Sequence, residues 1–446
     1  MGYGSRRGRK PEEWASKSAH VNVVKDPAVQ TFLASCTLPK SAEEVLLPPS
    51  MLLEYKPVPS LPVRHIVAID GGYSEVPVRD EFPSATICFF QFGALAFSLA
   101  DLEGLEAAPF IDPEDMAKLK RMQRLKFTMP VRNVLKAPHA TLVNSIRGTL
   151  YEFFRQPMDG GSLLETLKWF VFEEFGRPRE GYDLANCPAC RHPHVILSVT
   201  QMDADYCFKC HYCGAHLYLT DVFRLHEAVD NELGAGGIIG YVTTLLEQML
   251  LVHLIRLVLH QRPALLREMF FLKDGPLAFF GQTANMHKPM RALVRFLVKT
   301  HDLFLVGVEK SGPFVEHAAA IAQLLPNGSV LLLGNEYIYK YIIPGAADAE
   351  GAYGRTTYYG SKLIFKSQDA GLYVLSLPTT EPIQEPKRSD FKNLWEVLTL
   401  VEKLHCDMFD DALIPVALAN KLVSLANRPS TQILQRFAAG AIAKAP

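Results

Sequence analysis

The stretch Arg64-His-Ile-Val-Ala-Ile-Asp-Gly-Gly-Tyr73 constrains the fold more than any other part of this chain. Ile66 to Ile69 is uncharged and rich in β-branched residues, so it reads as a buried strand with Asp70 at its carboxyl end. Gly71 and Gly72 then permit a sharp turn and a close approach by a ligand or another backbone. Taken alone, the stretch is accounted for by a strand followed by an Asx-type turn. A second copy changes that reading: Glu268-Met-Phe-Phe-Leu-Lys-Asp-Gly-Pro-Leu277 again runs apolar into a carboxylate and a glycine. If the two strands lie parallel and adjacent, Asp70 and Asp274 stand side by side at their carboxyl ends, where parallel α/β sheets place their sites. Two close carboxylates repel unless a proton or cation sits between them. The pair therefore implies a hard divalent metal and metal-assisted phosphoryl transfer.

With 446 residues the chain has room for two or three domains and a large core. It is 48% hydrophobic with a formal charge of -1, so any affinity for nucleic acid must come from local patches. Met1 to Lys10 is basic but runs into Pro-Glu-Glu-Trp with no apolar core, which is not the pattern of a secretory signal. The most apolar long segment, Ile238 to Leu259, is interrupted by Glu247, Gln248, His253 and Arg256, which argues against a membrane span. Five of the eight cysteines fall between residues 187 and 213, the usage expected of a metal site in a reducing compartment, and hence a cytoplasmic protein.

Residues 1 to about 20 carry Arg6, Arg7, Arg9 and Lys10 among Gly and Ser and read as a flexible arm, suited to phosphates or to solubility. A short helical pattern around Pro27 to Ala34 precedes a proline-rich lead-in. Ala85 to Phe97, aromatic and β-branched, suits a strand or strand pair beside the first, with a hairpin-like opening to the sheet. From Pro113 the pattern turns helical, and Met116 to Lys136 holds seven cations, Lys118, Lys120, Arg121, Arg124, Lys126, Arg132 and Lys136, with no acid. A solvated helix face normally mixes signs, so this run is a candidate surface for DNA phosphates. Residues 140 to 180 continue helically, with Trp169, Phe170, Phe172 and Phe175 read as core.

Cys187-Pro-Ala-Cys190 and Cys210-His-Tyr-Cys213-Gly214 form two Cys-x-x-Cys knuckles separated by nineteen residues, a spacing that suits a zinc ribbon. Cys207 offers an alternative pairing, but Gly214 resembles the glycine that closes such a knuckle, which favours Cys210 with Cys213. His192, His194, His211 and His216 read as bystanders. A closed four-cysteine site leaves no open position, so its Zn2+ is structural.

After a glycine hinge at 234–240, a helix from Tyr241 to His260 places Glu247 on the stripe Leu250, Leu251, Leu254 and Ile255. A carboxylate there fits a metal ligand, a side chain that snorkels to solvent, or a partner of a distant cation. The second Asp strand follows, then a helix from Pro289 to His301 and a third strand-like run, Asp302 to Ser311. Lys310 at its end is placed to neutralise a scissile phosphate, while Glu309 points to the opposite face. Strands at 329–334, 358–365 and 372–377 and a helical region over 391–443, with Pro415 near its middle, complete the chain.

The set Val67-Ala-Ile-Asp-Gly71, helix Glu247, Phe271-Leu-Lys-Asp-Gly-Pro-Leu277 and Val306-Gly-Val-Glu-Lys310 resembles the NurA nuclease family in order and spacing, over roughly 60–100 and 236–430. The resemblance implies an α/β fold with an RNase H-like mixed-sheet core. It implies a nuclease that uses Mn2+ or Mg2+, cuts single-stranded DNA, resects 5′ ends, and works as a dimer with a hexameric HerA-like translocase in repair or anti-phage defence. Asp70 matches the family's first metal aspartate, Glu247 its helix glutamate, Asp274 its second aspartate and Lys310 its lysine. Two departures stand out: Asn420, in Pro415-Val-Ala-Leu-Ala-Asn420, takes the place of a metal-binding histidine and is expected to offer its carbonyl oxygen to Mn2+ or Mg2+ with Asp70, Glu247 and Asp274, and the zinc ribbon looks inserted. The expected layout is an arm and lead-in over 1–60, core over 61–104 and 236–446, a basic helical insertion over 105–186 and the ribbon over 187–235. The alternative is a non-catalytic DNA-binding clamp partner of a translocase, with the same core and an impaired site.

Overall fold

A computed structural model of the chain describes residues 17–38, 40–79, 84–100, 122–345, 351–406, 412–425 and 430–443. The basic arm residues Arg6, Arg7, Arg9 and Lys10, and Lys118, Lys120 and Arg121, lie outside the described residues. Two helices lead, α1 (Lys17–Lys25) and α2 (Pro27–Ser35), where Asp26 accepts the amides of Ala28 and Val29 and Pro27 opens the first turn. The chain enters the sheet with β1 (Leu52–Glu54), β2 (His65–Arg79), β3 (Ala85–Ser98) and β4 (Met122–Arg132).

β2 does not end at Asp70. Its ladder with antiparallel β3 continues through Gly71 opposite Phe92 and Gly72 opposite Gln91 to Arg79 opposite Ala85, so no turn forms at the two glycines. They are needed for close approach instead: a Cβ on Gly72 would lie 2.6 Å from the carbonyl oxygen of Val423, and one on Gly71 2.6 Å from the Phe92 ring. The helix expected over Met116 to Lys136 is also corrected, because Met122–Arg132 is a strand paired antiparallel to β3. Phe127, Met129 and Val131 are buried while Arg124, Lys126 and Thr128 are exposed, a period of two that the cation count obscured.

Next come α3 (Leu142–Arg155), the small hairpin β5 (Pro157–Met158) and β6 (Gly161–Ser162), and α4 (Leu163–Val171), whose start carries a Ser162–Glu165 capping box. Trp169, Phe170 and Phe172 are buried as expected. Two hairpins follow, β7 (Gly181–Asn186) with β8 (Pro193–Ser198) and β9 (Cys207–Lys209) with β10 (His216–Tyr218). The helix α5 (Ile239–Gln261) is long and apolar enough to cross a membrane by composition alone, with a mean hydropathy of 1.6 over its most apolar window. That window is 78% buried inside the molecule, so it is a core helix. The remainder is β11 (Met269–Asp274), α6 (His287–Thr300), β12 (Phe304–Glu309), α7 (Pro313–Ala320), β13 (Ser329–Leu332), α8 (Asn335–Tyr341), β14 (Gly360–Lys366), β15 (Leu372–Pro378), α9 (Leu394–Lys403), α10 (Ile414–Val423) and α11 (Ser430–Ala443). Pro415 starts α10 instead of interrupting a longer helix.

The described strands build a nine-stranded mixed sheet in the order β1-β13-β14-β15-β12-β11-β2-β3-β4. Its half from β4 to β12 is an antiparallel meander of three strands flanked by two strands parallel to β2, the arrangement of an RNase H-like core. Odd-numbered Val67, Ile69, Phe271 and Leu305 face α3 to α6, while Ile66, Ala68, Leu272 and Val306 face α9 and α10. The hairpins that carry the cysteines share the first of these cores, through Leu184, Val195, Leu197 and Leu217.

Candidate active site and metal centres

β11 lies parallel to β2 with Ile69 opposite Lys273, so the next pair in register is Asp70 and Asp274. Asp274 itself faces Val308 of β12, and Lys310, two residues farther on, shares its face. The Lys310 ammonium meets Asp274 Oδ2 at 2.7 Å. Gly275, at φ +85°, makes the turn that Gly71 does not, its amide donating to the Val308 carbonyl at 2.7 Å. Gly307 leaves room for that turn, since a Cβ there would lie 2.6 Å from the Gly275 oxygen.

Glu247 comes from α5, on the other face of the sheet. It is buried, and its Oε1 lies 3.1 Å from where a Gly71 side chain would begin, so the missing Cβ lets it reach the strand beside Asp70. Neighbouring Gln248 fixes that turn of the helix: it donates to the Ala278 carbonyl at 3.2 Å and accepts from the Tyr359 hydroxyl at 2.7 Å. Of the roles open to Glu247, the structure shows an ion pair, with Lys273 at 3.2 Å. Lys273 is 3% exposed and also donates to the Asp274 carbonyl. It was not singled out in the sequence, although a lysine inside an apolar strand is itself a signal, because a buried ammonium requires an anion. Glu309 pairs with the buried Lys362, away from Asp274, as strand alternation requires.

Asp70 is 4% exposed. Its Oδ1 accepts the Gly71 amide at 2.8 Å, whereas Oδ2 is buried without a hydrogen-bond partner. Burial first, and then the charge of Asp274, push its carboxyl up to about 6. Burial likewise raises Glu247 to about 7 against the pull of Lys273, with Asp70 and Asp274 adding to the rise. An orphaned carboxylate oxygen among raised carboxyls fits a divalent cation, whose charge would compensate all three acids. In the conformation described, the lysines draw Glu247 and Asp274 aside. Among the described residues, Asp70, Glu247 and Asp274 do not form a set with all ligand atoms within 4.8 Å of one another. Asn420 is exposed on α10, the helix whose last turn crosses Gly72.

The four ribbon cysteines do form such a set. Cys187 and Cys213 lie 3.9 Å apart at sulfur, as do Cys190 and Cys210. A tetrahedron of thiolates around Zn2+ at about 2.3 Å has edges of about 3.8 Å, so the cluster is already near metal-bound dimensions. The knuckles repeat each other: Arg191 and Gly214 both have positive φ, and their amides donate back to the Cys187 and Cys210 carbonyls at 2.9 and 2.8 Å. The amides of Tyr212 and Cys213 bring the Cys210 thiol down to about 7 against its burial, while burial pushes the neighbouring Cys187 thiol up to about 12. Cys207 is outside this set, and the pairing of Cys210 with Cys213 agrees with the glycine at 214.

Of the cations expected to meet DNA, Arg124, Lys126 and Arg132 are exposed on β4, at one edge of the large sheet.

No family model and no curated protein matches this chain. Solved structures to which it is similar include three NurA proteins. The NurA nuclease from Sulfolobus solfataricus is 8% identical, over 97% of this chain and 99% of that one, with a TM-score of 0.34. A NurA crystallised with manganese is 12% identical over 85% and 89%, with a TM-score of 0.27. Another NurA is 11% identical over 94% and 100%, with a TM-score of 0.23. Similarity at this level assigns no residue and no activity. The RNase H-like reading of the core rests on strand order and direction.

Proposed function

We propose that this chain is a divalent-metal-dependent DNA nuclease, in which Asp70, Glu247 and Asp274 hold Mn2+ or Mg2+ and Lys310 positions the scissile phosphate. The observation that carries this reading is the buried, partnerless Asp70 Oδ2 beside Asp274, where the parallel pairing of β2 with β11 runs out. When bound, the cation supplies Lewis-acid activation of water and stabilises the leaving oxygen. The chain's own contribution is orientation and charge. Lys310, now on Asp274, is exposed enough to transfer its ammonium to an incoming phosphate, and Lys273 offsets the charge of Glu247 from the closed side. Arg124, Lys126 and Arg132, with Lys118, Lys120 and Arg121, would track the DNA backbone. The finer reading is a single-strand endonuclease and 5′–3′ exonuclease, cytoplasmic and dimeric, which processes ends with a HerA-like hexameric translocase in repair or anti-phage defence.

The test is cleavage of end-labelled single- and double-stranded DNA with Mn2+, Mg2+ or EDTA. Metal-dependent cleavage that disappears in Asp70→Ala and in Asp274→Ala is the expected result, and full activity in both variants sinks the assignment.

One observation favours the alternative of a non-catalytic clamp partner: Lys273 and Lys310 already neutralise two of the three carboxylates, and Asn420 brings no charge. That reading expects no Mn2+ or Mg2+ binding that Asp70→Asn removes, measured by calorimetry. Strand joining or preference for junctions would instead indicate another RNase H-like enzyme, such as a transposase or resolvase.

A further inference from the structure

Beside the four-cysteine cluster lies a second group of metal-binding side chains that the closed ribbon does not use. Asp203, Cys207 and His216 each bring one ligand atom to within 4.8 Å of the others. They come from three places: the turn before β9, the first residue of β9, and the first residue of β10. The hairpin register pairs Cys207 with Tyr218 and Lys209 with His216, so Cys207 and His216 are diagonal neighbours. Asp203 is held against them by its own backbone. Its amide donates to the Cys207 carbonyl at 3.0 Å, and its Oδ1 accepts the amides of Asp205 and Cys207 at 3.0 and 2.8 Å. That leaves Oδ2 for another partner. Cys207 is 2% exposed; its thiol donates to the Asp205 carbonyl at 3.4 Å and is also hydrogen-bonded with the Tyr151 hydroxyl.

Two other ribbon histidines have partners elsewhere. His192 stacks on Tyr212 at 3.3 Å, and His194 pairs with Asp183 at 3.0 Å. His216 meets the edge of Tyr218 at 5.0 Å while its ring shares the space of a thiol and a carboxylate.

We propose that Asp203, Cys207 and His216 form a second zinc site, with three protein ligands and a fourth position open to solvent. One thiolate, one imidazole and one carboxylate are ligand types that Zn2+ accepts together, and a three-ligand set differs from the ribbon's closed four. Binding releases the thiol proton of Cys207 to solvent and forms the S–Zn bond in its place. Asp203 and His216 are exposed, so the open position faces outward, where water or a donor from another molecule completes the tetrahedron. The effect on the fold is to tie the 199–206 segment to both strands of the second ribbon hairpin. This inference is independent of the nuclease reading.

The experiment is a zinc count per chain by plasma mass spectrometry on the full-length protein after loading with Zn2+ and passage through a weak chelating resin. Wild type, Cys207→Ser and His216→Ala are compared, and His216→Ala alters an exposed residue outside the core. The expected result is two zinc ions in wild type and one fewer in each variant. Loading with Co2+ gives an independent reading: five thiolate bonds fall to four in Cys207→Ser, a loss of about one fifth of the thiolate-to-metal absorption. An undiminished count in both variants, or an unchanged cobalt spectrum, overturns the proposal.

Discussion

Asp70 is held at the end of an apolar strand segment, with one oxygen bonded to the next amide and the other to nothing. Its raised carboxyl has a consequence for stability whose sign can be worked out. Below about pH 4 the group is neutral in both the folded and the unfolded chain. From there to about 6 only the unfolded chain ionises, and above that the fold carries a buried charge. Its contribution therefore destabilises the metal-free protein as pH rises through this window. Asp70→Asn in EDTA should be more stable than wild type by about 3 kcal/mol at pH 8 and equal to it near pH 4. Denaturant unfolding at the two pH values checks this, and a variant less stable than wild type at pH 8 would show that Asp70 is not strained. Added Mn2+ should raise the wild-type midpoint and leave that of Asp70→Asn nearly unmoved. Lys273 belongs to the same argument, since its ammonium is the reason Glu247 remains tolerable on a core helix.

At the scale of elements, the decisive contact is α10 across β2. The Val423 carbonyl occupies the space where a side chain at 72 would begin, and Gln91 of β3 donates to the Leu422 carbonyl at 2.8 Å. A glycine pair that reads as a turn thus serves as a seat for a helix. Gly72→Ala should destabilise the protein by about 1–3 kcal/mol, because the atom it meets is backbone and must move with its helix. Gly236→Ala, with nothing within 4 Å of its added Cβ, is the matched control. Equal thermal midpoints for the two would remove the seat from the account. The second ribbon hairpin is joined to α3 in a comparable way, through the Arg147 guanidinium donating to the His216 carbonyl at 3.1 Å and the Tyr151–Tyr218 stack at 4.4 Å. Both hairpins contribute side chains to the core beneath the sheet.

For the molecule as a whole, a net charge of -1 leaves local patches as the means of meeting DNA. The exposed cations of β4 stand at a sheet edge, where positive side chains also discourage edge-to-edge pairing. Salt dependence separates the two roles. If Arg124, Lys126 and Arg132 contact phosphates, changing all three to Glu lowers affinity for single-stranded DNA at least tenfold. The slope of log K against log salt then falls by about 2, at roughly 0.7 per phosphate on single strands. An unchanged slope in a fluorescence-anisotropy titration would leave these residues as edge protection only.

What the sequence determined by itself was local. It marked the strands that carry Asp70 and Asp274, the helix that carries Glu247, the strand that leads into Lys310, and the two cysteine knuckles. Periodicity and ligand spacing are properties of neighbours along the chain, so these were legible without a fold. The tertiary structure decided what depends on partners far away in sequence. Residues 122–132 became a strand because β3 offered a ladder and a core face, against the impression of a cationic helix. Gly71 and Gly72 remained in a continuous strand because Glu247 and Val423 approach them from distant helices. Glu247 found Lys273, twenty-six residues away, because two parallel strands and one helix meet at one end of the sheet. No local pattern encodes which ammonium faces which carboxylate, since that choice follows from the register and layering of the whole sheet.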